Sequence, residues 1–161
     1  MKIIFIQFFG IISTILGIIS LLYRKKKKVM QMQLISNIML TLQYLVLKAN
    51  TAAFVSIIAC LRCFLFSNNK NRKKKIIILI LLALTSGFIN YNGTFLSLIP
   101  IFNSILCILG ASLKNVKKYK IVYGTCSTIW IYYNYMVGAY VVIISNIFEI
   151  ISAIIGYKRH K

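Results

Sequence analysis

Long apolar runs separated by short blocks of lysine and arginine are the feature that most restricts the fold of this chain. Seven such runs can be drawn, at residues 3–23, 29–47, 51–68, 76–91, 95–113, 121–137 and 139–157. A helix needs roughly 17–25 residues to cross a bilayer. Only 13% of the residues are charged, against roughly 25% in soluble domains. The pattern predicts an all-α, polytopic membrane protein with seven transmembrane helices.

The basic residues are distributed unevenly between alternate connections. Five, five, four and three of them follow the first, third, fifth and seventh runs, whereas Lys2 and Lys48 alone lie on the other side. This bias predicts a multi-pass membrane protein with seven crossings, with its N-terminus outside and its C-terminus in the cytoplasm. A net charge of +19 can also indicate nucleic-acid binding. Because the basic blocks alternate with runs of spanning length, we expect a lipid bilayer as the partner and no nucleic acid.

The chain shows weak similarity to itself at a shift of 90 residues. The shift places Ser13 on Asn103, Arg24 on Lys114 and Ala59 on Glu149, and it keeps the apolar runs and basic connections in register. The similarity predicts one membrane domain built from two parallel three-helix repeats, 1–68 and 95–157. A linker helix at 76–91 would restore the parallel orientation of the second repeat.

Four short motifs occur in order along the chain: QFFG at 7–10, MQL at 32–34, SLIPI at 97–101 and WIYYNYMVG at 130–138. They resemble the YgjV-type family of bacterial inner-membrane proteins. The resemblance implies a small multi-span protein of the inner membrane and no particular chemistry. The predicted 3+1+3 layout is also similar to that of SWEET and PQ-loop transporters. The Pro-Gln signature of that superfamily is missing and Pro100 is the only proline, which argues against a SWEET-like rocking mechanism.

Glu149 is the only carboxylate side chain of the sequence, and it lies inside the last apolar run. An acid at the centre of a transmembrane helix costs about 2.5–3.5 kcal/mol on insertion scales, so its presence there indicates a structural or a functional role. Arg62 is the only cation inside a run. In a structural role, Glu149 would pair with Arg62, or would be protonated and bonded to Asn146 or Ser145. In a functional role, it would belong to a solute or proton site.

A second group of polar residues lies on the sixth run. Trp130, Tyr133 and Asn134 have the spacing of one helical face. An aromatic plate beside an amide suits a small polar solute; helix packing or an interfacial aromatic belt is the alternative. The candidate substrate-binding residues are Glu149, Asn146, Asn134, Trp130, Tyr133, Arg62 and Gln43.

The four cysteines lie in predicted spans, and the Cys60-x-x-Cys63 pair has neither a second pair nor a histidine nearby. They are predicted to be free thiols, and we expect no metal and no cofactor. One acid and one terminal histidine do not make a hydrolase, so we expect no catalytic residues and no enzyme. The predicted function is a SWEET-like facilitator or carrier for a small polar solute. The alternative is a non-transporting structural or regulatory membrane protein, and self-association into a homo-oligomer stays open.

Overall fold

The computed structural model describes residues 2–46, 50–67, 72–89, 93–136 and 140–159. Within these ranges the chain forms seven α-helices and one short 3-10 turn, and no strand is found there. The helices are α1 (Lys2–Leu22), α2 (Lys26–Val46), α3 (Asn50–Ser67), α4 (Arg72–Ile89), α5 (Leu98–Ser112), α6 (Val116–Met136) and α7 (Tyr140–Lys158), and the 3-10 turn at Phe95–Ser97 precedes α5. The all-α prediction is therefore confirmed.

Helix α2 and helix α6 begin three and five residues before the apolar runs that predicted them. Their first turns are built from lysines, which hydropathy excludes from a run but which are good helix formers. Pro100 lies in the first turn of α5, where a proline removes no intrahelical hydrogen bond. Some residues used in the sequence predictions lie outside the described ranges: Lys48, Lys70, Gly138, His160 and Lys161.

The helices close into a ring. Each helix packs on the next along the chain, α3 also packs on α5, and α7 packs back on α1. Because the connections are short, neighbouring helices run antiparallel. Helices α1, α3, α5 and α7 therefore all finish at one end of the bundle. We call it the basic end, since the described parts of the basic blocks, 24–28, 72–75, 114–120 and 158–159, lie there.

The bounds of the helices follow the predicted shift of 90 residues. Helix α2 shifted by 90 covers the same positions as α6, from 116 to 136. The last residue of α1 falls on the last residue of α5, and the first residue of α3 falls on the first residue of α7. Buried Ser13, Ser36 and Ser56 fall on buried Asn103, Cys126 and Asn146. These correspondences agree with the repeat, which stays a prediction.

Many large apolar side chains face outwards in this bundle, and a set of mostly small polar side chains is buried between its helices. Phe64, Phe88 and Phe102 are among many large apolar residues that are exposed. The buried polar residues are Ser13, Ser20, Gln33, Ser36, Ser56, Ser86, Asn103, Lys120, Ser127, Asn134, Asn146 and Ser152. A soluble protein does not expose apolar surface on this scale, whereas small polar residues between helices are typical of membrane proteins.

Among the described residues, one stretch is both long and apolar enough to cross a membrane by composition alone, namely Phe95–Ser112 with a mean hydropathy of 2.0. Shorter apolar stretches cover Phe8–Leu22 and Ala53–Ser67. The core helix of a soluble protein can pass the same test, but it would be mostly buried, and only 28% of Phe95–Ser112 is buried. The low burial of this stretch distinguishes it from such a core helix.

The apolar core lies in the half of the bundle near the basic end. Its buried members are Val29, Met30, Phe66, Leu79, Ala83, Ile108, Ala111 and Tyr119. Three lysines close this end by donating to carbonyls at the C-terminal ends of other helices. Lys75 Nζ donates to Leu65 O at 2.7 Å, Lys120 Nζ to Gly156 O at 2.9 Å, and Lys26 Nζ to the carbonyls at the end of α5. These donors satisfy the carbonyls that a helix C-terminus leaves unpaired.

Candidate functional site

Glu149 is held by two hydroxyl donors from helix α6. Tyr123 donates its hydroxyl to Glu149 Oε1 at 3.2 Å, and Ser127 donates to Oε2 at 3.0 Å. The two donors are four residues apart, so they lie on one face of α6 and reach α7 together. Both carboxylate oxygens therefore act as acceptors, the arrangement that suits an ionised carboxylate. The donors are not the predicted Asn146 and Ser145; Ser145 instead lies 3.5 Å from the Thr14 hydroxyl.

The same face of α6 continues the polar contacts towards helix α2 and helix α3. The ring of Tyr119 lies 5.9 Å from that of Tyr123, and the Tyr119 hydroxyl donates to Gln33 Oε1. The Cys63 thiol approaches the same oxygen at 4.0 Å, and Asn37 Nδ2 lies 3.6 Å from the Cys63 sulfur. Polar side chains thus connect α7, α6, α2 and α3 without a break.

Arg62 on α3 lies beside the thiols of Cys63 and Cys107, and it acts electrostatically on Glu149. Cys107 in turn contacts Cys126, the residue before Ser127. The two charged side chains therefore belong to one group of contacts. Within the described part of the chain, however, they form no ion pair, since no Arg62 nitrogen lies within 4.0 Å of a Glu149 oxygen.

Helix α1 completes the surroundings of the carboxylate. A methyl group at Gly17 would meet Glu149 Oε1 and Ser36 Oγ, each at 3.5 Å. Ser36 is fixed by Ser13, because each serine hydroxyl donates to the other's backbone carbonyl, at 2.9 and 2.7 Å. Ser152, one turn after Glu149, donates to Ile18 O at 2.6 Å and holds α7 against α1. We call the following residues the central polar cluster: Gln33, Arg62, Cys63, Tyr119, Tyr123, Ser127 and Glu149.

Three buried amides near the cluster have polar atoms without a partner in the described protein. They are Gln33 Nε2, Asn146 Nδ2, and both Nδ2 and Oδ1 of Asn103. Asn146 lies one turn from Glu149 on α7, and Asn103 lies one turn from Cys107 on α5. An unpaired buried amide costs about 1–3 kcal/mol. Such atoms in a native structure indicate a place for water or for a bound polar molecule.

The remaining predicted residues occupy separate places. Trp130 packs its ring against Tyr133 in an edge-on geometry, with centroids 5.3 Å apart. Asn134 is buried two turns from Ser127 on the same face of α6, towards the end opposite the basic end. Gln43 lies against Gly10, where a methyl group would meet its amide at 2.6 Å, so it packs α2 on α1. Of the predicted residues, the structure brings Glu149, Arg62 and Asn146 to one region.

Sequence reasoning missed the residues that hold the carboxylate. Tyr119, Tyr123 and Ser127 recur at intervals of four residues and continue into Trp130 and Asn134. These five positions form one polar and aromatic stripe of α6. The stripe was visible in the sequence as soon as the helix was placed. Gln33 and Ser36 carried no comparable signal, because isolated Gln and Ser residues also occur on other faces of α2.

The central polar cluster contains one carboxylate, one guanidinium, two phenols, one amide, one thiol and one serine hydroxyl, all on residues of the helices. The four cysteines are free thiols. In the described ranges, no group of three or more His, Cys, Asp or Glu side chains is placed to hold a metal ion.

Comparison with known proteins gives one family. The model of the family Imp-YgjV, described as bacterial inner membrane protein, matches residues 4–161. No curated protein and no solved structure matches the chain.

Proposed function

The chain belongs to the Imp-YgjV family of bacterial inner membrane proteins, and from that premise we propose that it is a facilitator or carrier for a small polar solute. Its site is the central polar cluster. The observation that carries the proposal is the convergence of polar side chains from α2, α3, α6 and α7 around Glu149. A membrane helix excludes polar groups unless they are paired or functional. Here the convergence leaves amide atoms unpaired.

The proposed topology has seven crossings. The basic end faces the cytoplasm, so the N-terminus lies outside and the C-terminus lies inside. The proposed units are α1–α3 and α5–α7, with α4 as the linker. The matching helix bounds at a shift of 90 residues support this division. Solute sites at the interface of two such units are common among transporters.

The interface between the proposed units is polar where it passes the cluster. Tyr119 on α6 bonds Gln33 on α2, and Ser152 on α7 bonds Ile18 on α1. Arg62 on α3 reaches Cys107 on α5. If two units rock or slide against each other, these are the bonds that must exchange. A bound solute that makes hydrogen bonds to the released side chains would lower the free-energy cost of that exchange.

Uptake by purified protein in proteoliposomes tests the proposal. The solute panel contains an amino acid, a monosaccharide, a polyol, a nucleoside and an organic cation. We expect saturable uptake of at least one solute by the wild type and its loss in Glu149→Gln. Thr125→Val is the matched control, because Thr125 is exposed on α6 and bonds only the Ile121 carbonyl of its own helix. Uptake no faster than in empty liposomes across the panel would overturn the carrier and favour a non-transporting protein.

A further inference from the structure

Two opposite charges share the central polar cluster without neutralising each other directly. Each oxygen of Glu149 is engaged by a hydroxyl, from Tyr123 and from Ser127. Arg62 lies beside thiols instead of the carboxylate. In a purely structural role, a buried acid and base gain most by direct contact, since their separation gives up the attraction that offsets the cost of burying both charges. Their separation is the arrangement expected when a third charged group fits between them.

Two of the unpaired amides belong to residues that are linked to the charged side chains. Gln33, whose Nε2 is unpaired, contacts through its oxygen both Cys63, which lies beside Arg62, and Tyr119. Asn146 Nδ2 is one turn from Glu149. Gln33, Asn103 and Asn146 are only 2%, 1% and 7% exposed, so bulk solvent does not satisfy them. The unpaired atoms comprise three amide nitrogens and one amide oxygen, which is a surplus of donors for a ligand rich in acceptors.

We propose that the central polar cluster binds a small zwitterion, with its anionic group at Arg62 and Gln33 and its cationic group at Glu149. The inference rests on the proposed function, because it names the class of solute that the carrier takes. A zwitterion adds no net charge to the membrane interior. A simple cation would be repelled by Arg62, a simple anion would be repelled by Glu149, and a neutral polyol would leave both charges unmatched. Discrimination of this kind comes from repulsion as well as attraction.

Binding to the purified full chain in detergent tests the class of solute. Four probes of similar size are compared by ligand-observed NMR: alanine carries both charges, propionate the negative one, ethylamine the positive one and propane-1,2-diol neither. We expect alanine to bind at least roughly tenfold more tightly than each of the others. Equal or tighter binding of any of the other three would overturn the assignment.

Variants at the two charges give opposite selectivity changes. Glu149→Gln is expected to weaken the binding of alanine by roughly tenfold or more, and to leave the affinity for propionate unchanged or higher. Arg62→Gln is expected to weaken the binding of alanine by a similar factor, and to leave the affinity for ethylamine unchanged or higher. Arg62→Lys keeps the charge and retains alanine binding within roughly threefold, and Thr125→Val is the unaffected control. Equal losses in Arg62→Lys and Arg62→Gln would contradict a charge contact, even if Glu149→Gln fails to fold.

Uptake of labelled alanine separates this inference from the proposed function. One outcome is that another panel solute enters the proteoliposomes, while alanine neither binds nor enters. In that case the assignment of a zwitterion as the solute is wrong and the proposed carrier function is supported. If alanine binds but no panel solute enters, the binding site stands and the carrier is wrong. If alanine binds and enters, and Glu149→Gln does neither, both are supported.

Discussion

Gly156 on α7 lies against the backbone of α1 at Leu21, and its replacement by alanine is a sharp test of the packing. An added methyl group would lie well inside contact distance of Leu21 O, 3.1 Å from the Leu21 carbonyl carbon and 2.8 Å from Lys120 Nζ. Ordinary contacts between carbon atoms lie at about 3.5–4.0 Å. Since the main obstacle is backbone, the helices must separate by roughly 0.5 Å or more. Separation also disturbs the bonds from Lys120 to Gly156 O and from Ser152 to Ile18 O.

Two effects of Gly156→Ala oppose each other. Alanine is favoured over glycine inside a helix by about 0.8–1.0 kcal/mol. Overpacking of a tight contact costs about 1–3 kcal/mol, and a weakened charge-assisted hydrogen bond adds roughly 1.5–3 kcal/mol if it is lost. The net destabilisation is then about 0–2 kcal/mol if the hydrogen bond survives and about 1.5–5 kcal/mol if it is lost, with a central value of about 2 kcal/mol. At roughly 2–4 °C per kcal/mol for a chain of this size, Tm falls by about 5 °C.

Gly124→Ala is the matched control for this prediction. It lies in the neighbouring helix α6, and its added methyl group would meet only Ala153 Cβ, at an ordinary 3.8 Å. The control keeps the gain in helix propensity without the clash, so its Tm is expected to equal or exceed that of the wild type. The assay is thermal unfolding in detergent, followed by the fluorescence of the single tryptophan, Trp130. A Gly156→Ala protein as stable as Gly124→Ala would refute the close approach of α1 and α7.

Three further predictions concern the basic end, the topology and the interface. Burial, with a smaller contribution from Arg72, lowers the pKa of Lys26, which precedes the predicted span 29–47, from 10.5 to about 8. Because the unfolded chain then binds the extra proton between pH 8 and 10.5, the stability of wild type relative to Lys26→Met should rise with pH across that window; a flat difference in Tm would contradict it. A fluorescent-protein fusion at the C-terminus should fluoresce and an alkaline phosphatase fusion there should be inactive, and the reverse result would invert the topology. Ser152→Ala should lose about 0.6 kcal/mol with its bond to Ile18. Ser112 is half-buried at the end of α5 and bonds only the Leu109 carbonyl of its own helix, so Ser112→Ala should not change Tm.

Much of the fold follows from the sequence because the membrane-like pattern is simple. Every predicted run overlaps a helix, and four of the helix bounds at a shift of 90 residues coincide. The starts of α2 and α6 were misplaced because hydropathy ends a run at Lys28 and Lys120, although lysines continue a helix without penalty. The end of a helix depends on the backbone preferences of its residues, whereas the end of an apolar run depends on their hydropathy, so the two ends need not coincide.

Less of the site could be predicted, since it depends on which faces meet. Glu149 and Arg62 were identified by their cost in an apolar run, and both reach the cluster. Trp130 satisfied the same spacing rule as Tyr123 but pairs with its own neighbour on α6. Gln43 looked like a polar candidate and proved to fill the space beside a glycine of α1. Spacing assigns a residue to a face, and only the neighbouring helix decides what that face touches.

The lysine donors of the basic end differ from the other basic residues in what balances their charge. The chain has a formal charge of +19 and one acid, which lies within α7 and outside the basic blocks. Lys26, Lys75 and Lys120 turn to the carbonyl ends of helices, so backbone oxygens serve these three as counter-charges. The other lysines and arginines must draw their neutrality from phosphates of lipid headgroups or from salt. The positive charge of these residues is thus balanced by anions from outside the chain, and a neutral detergent at low salt supplies fewer of them.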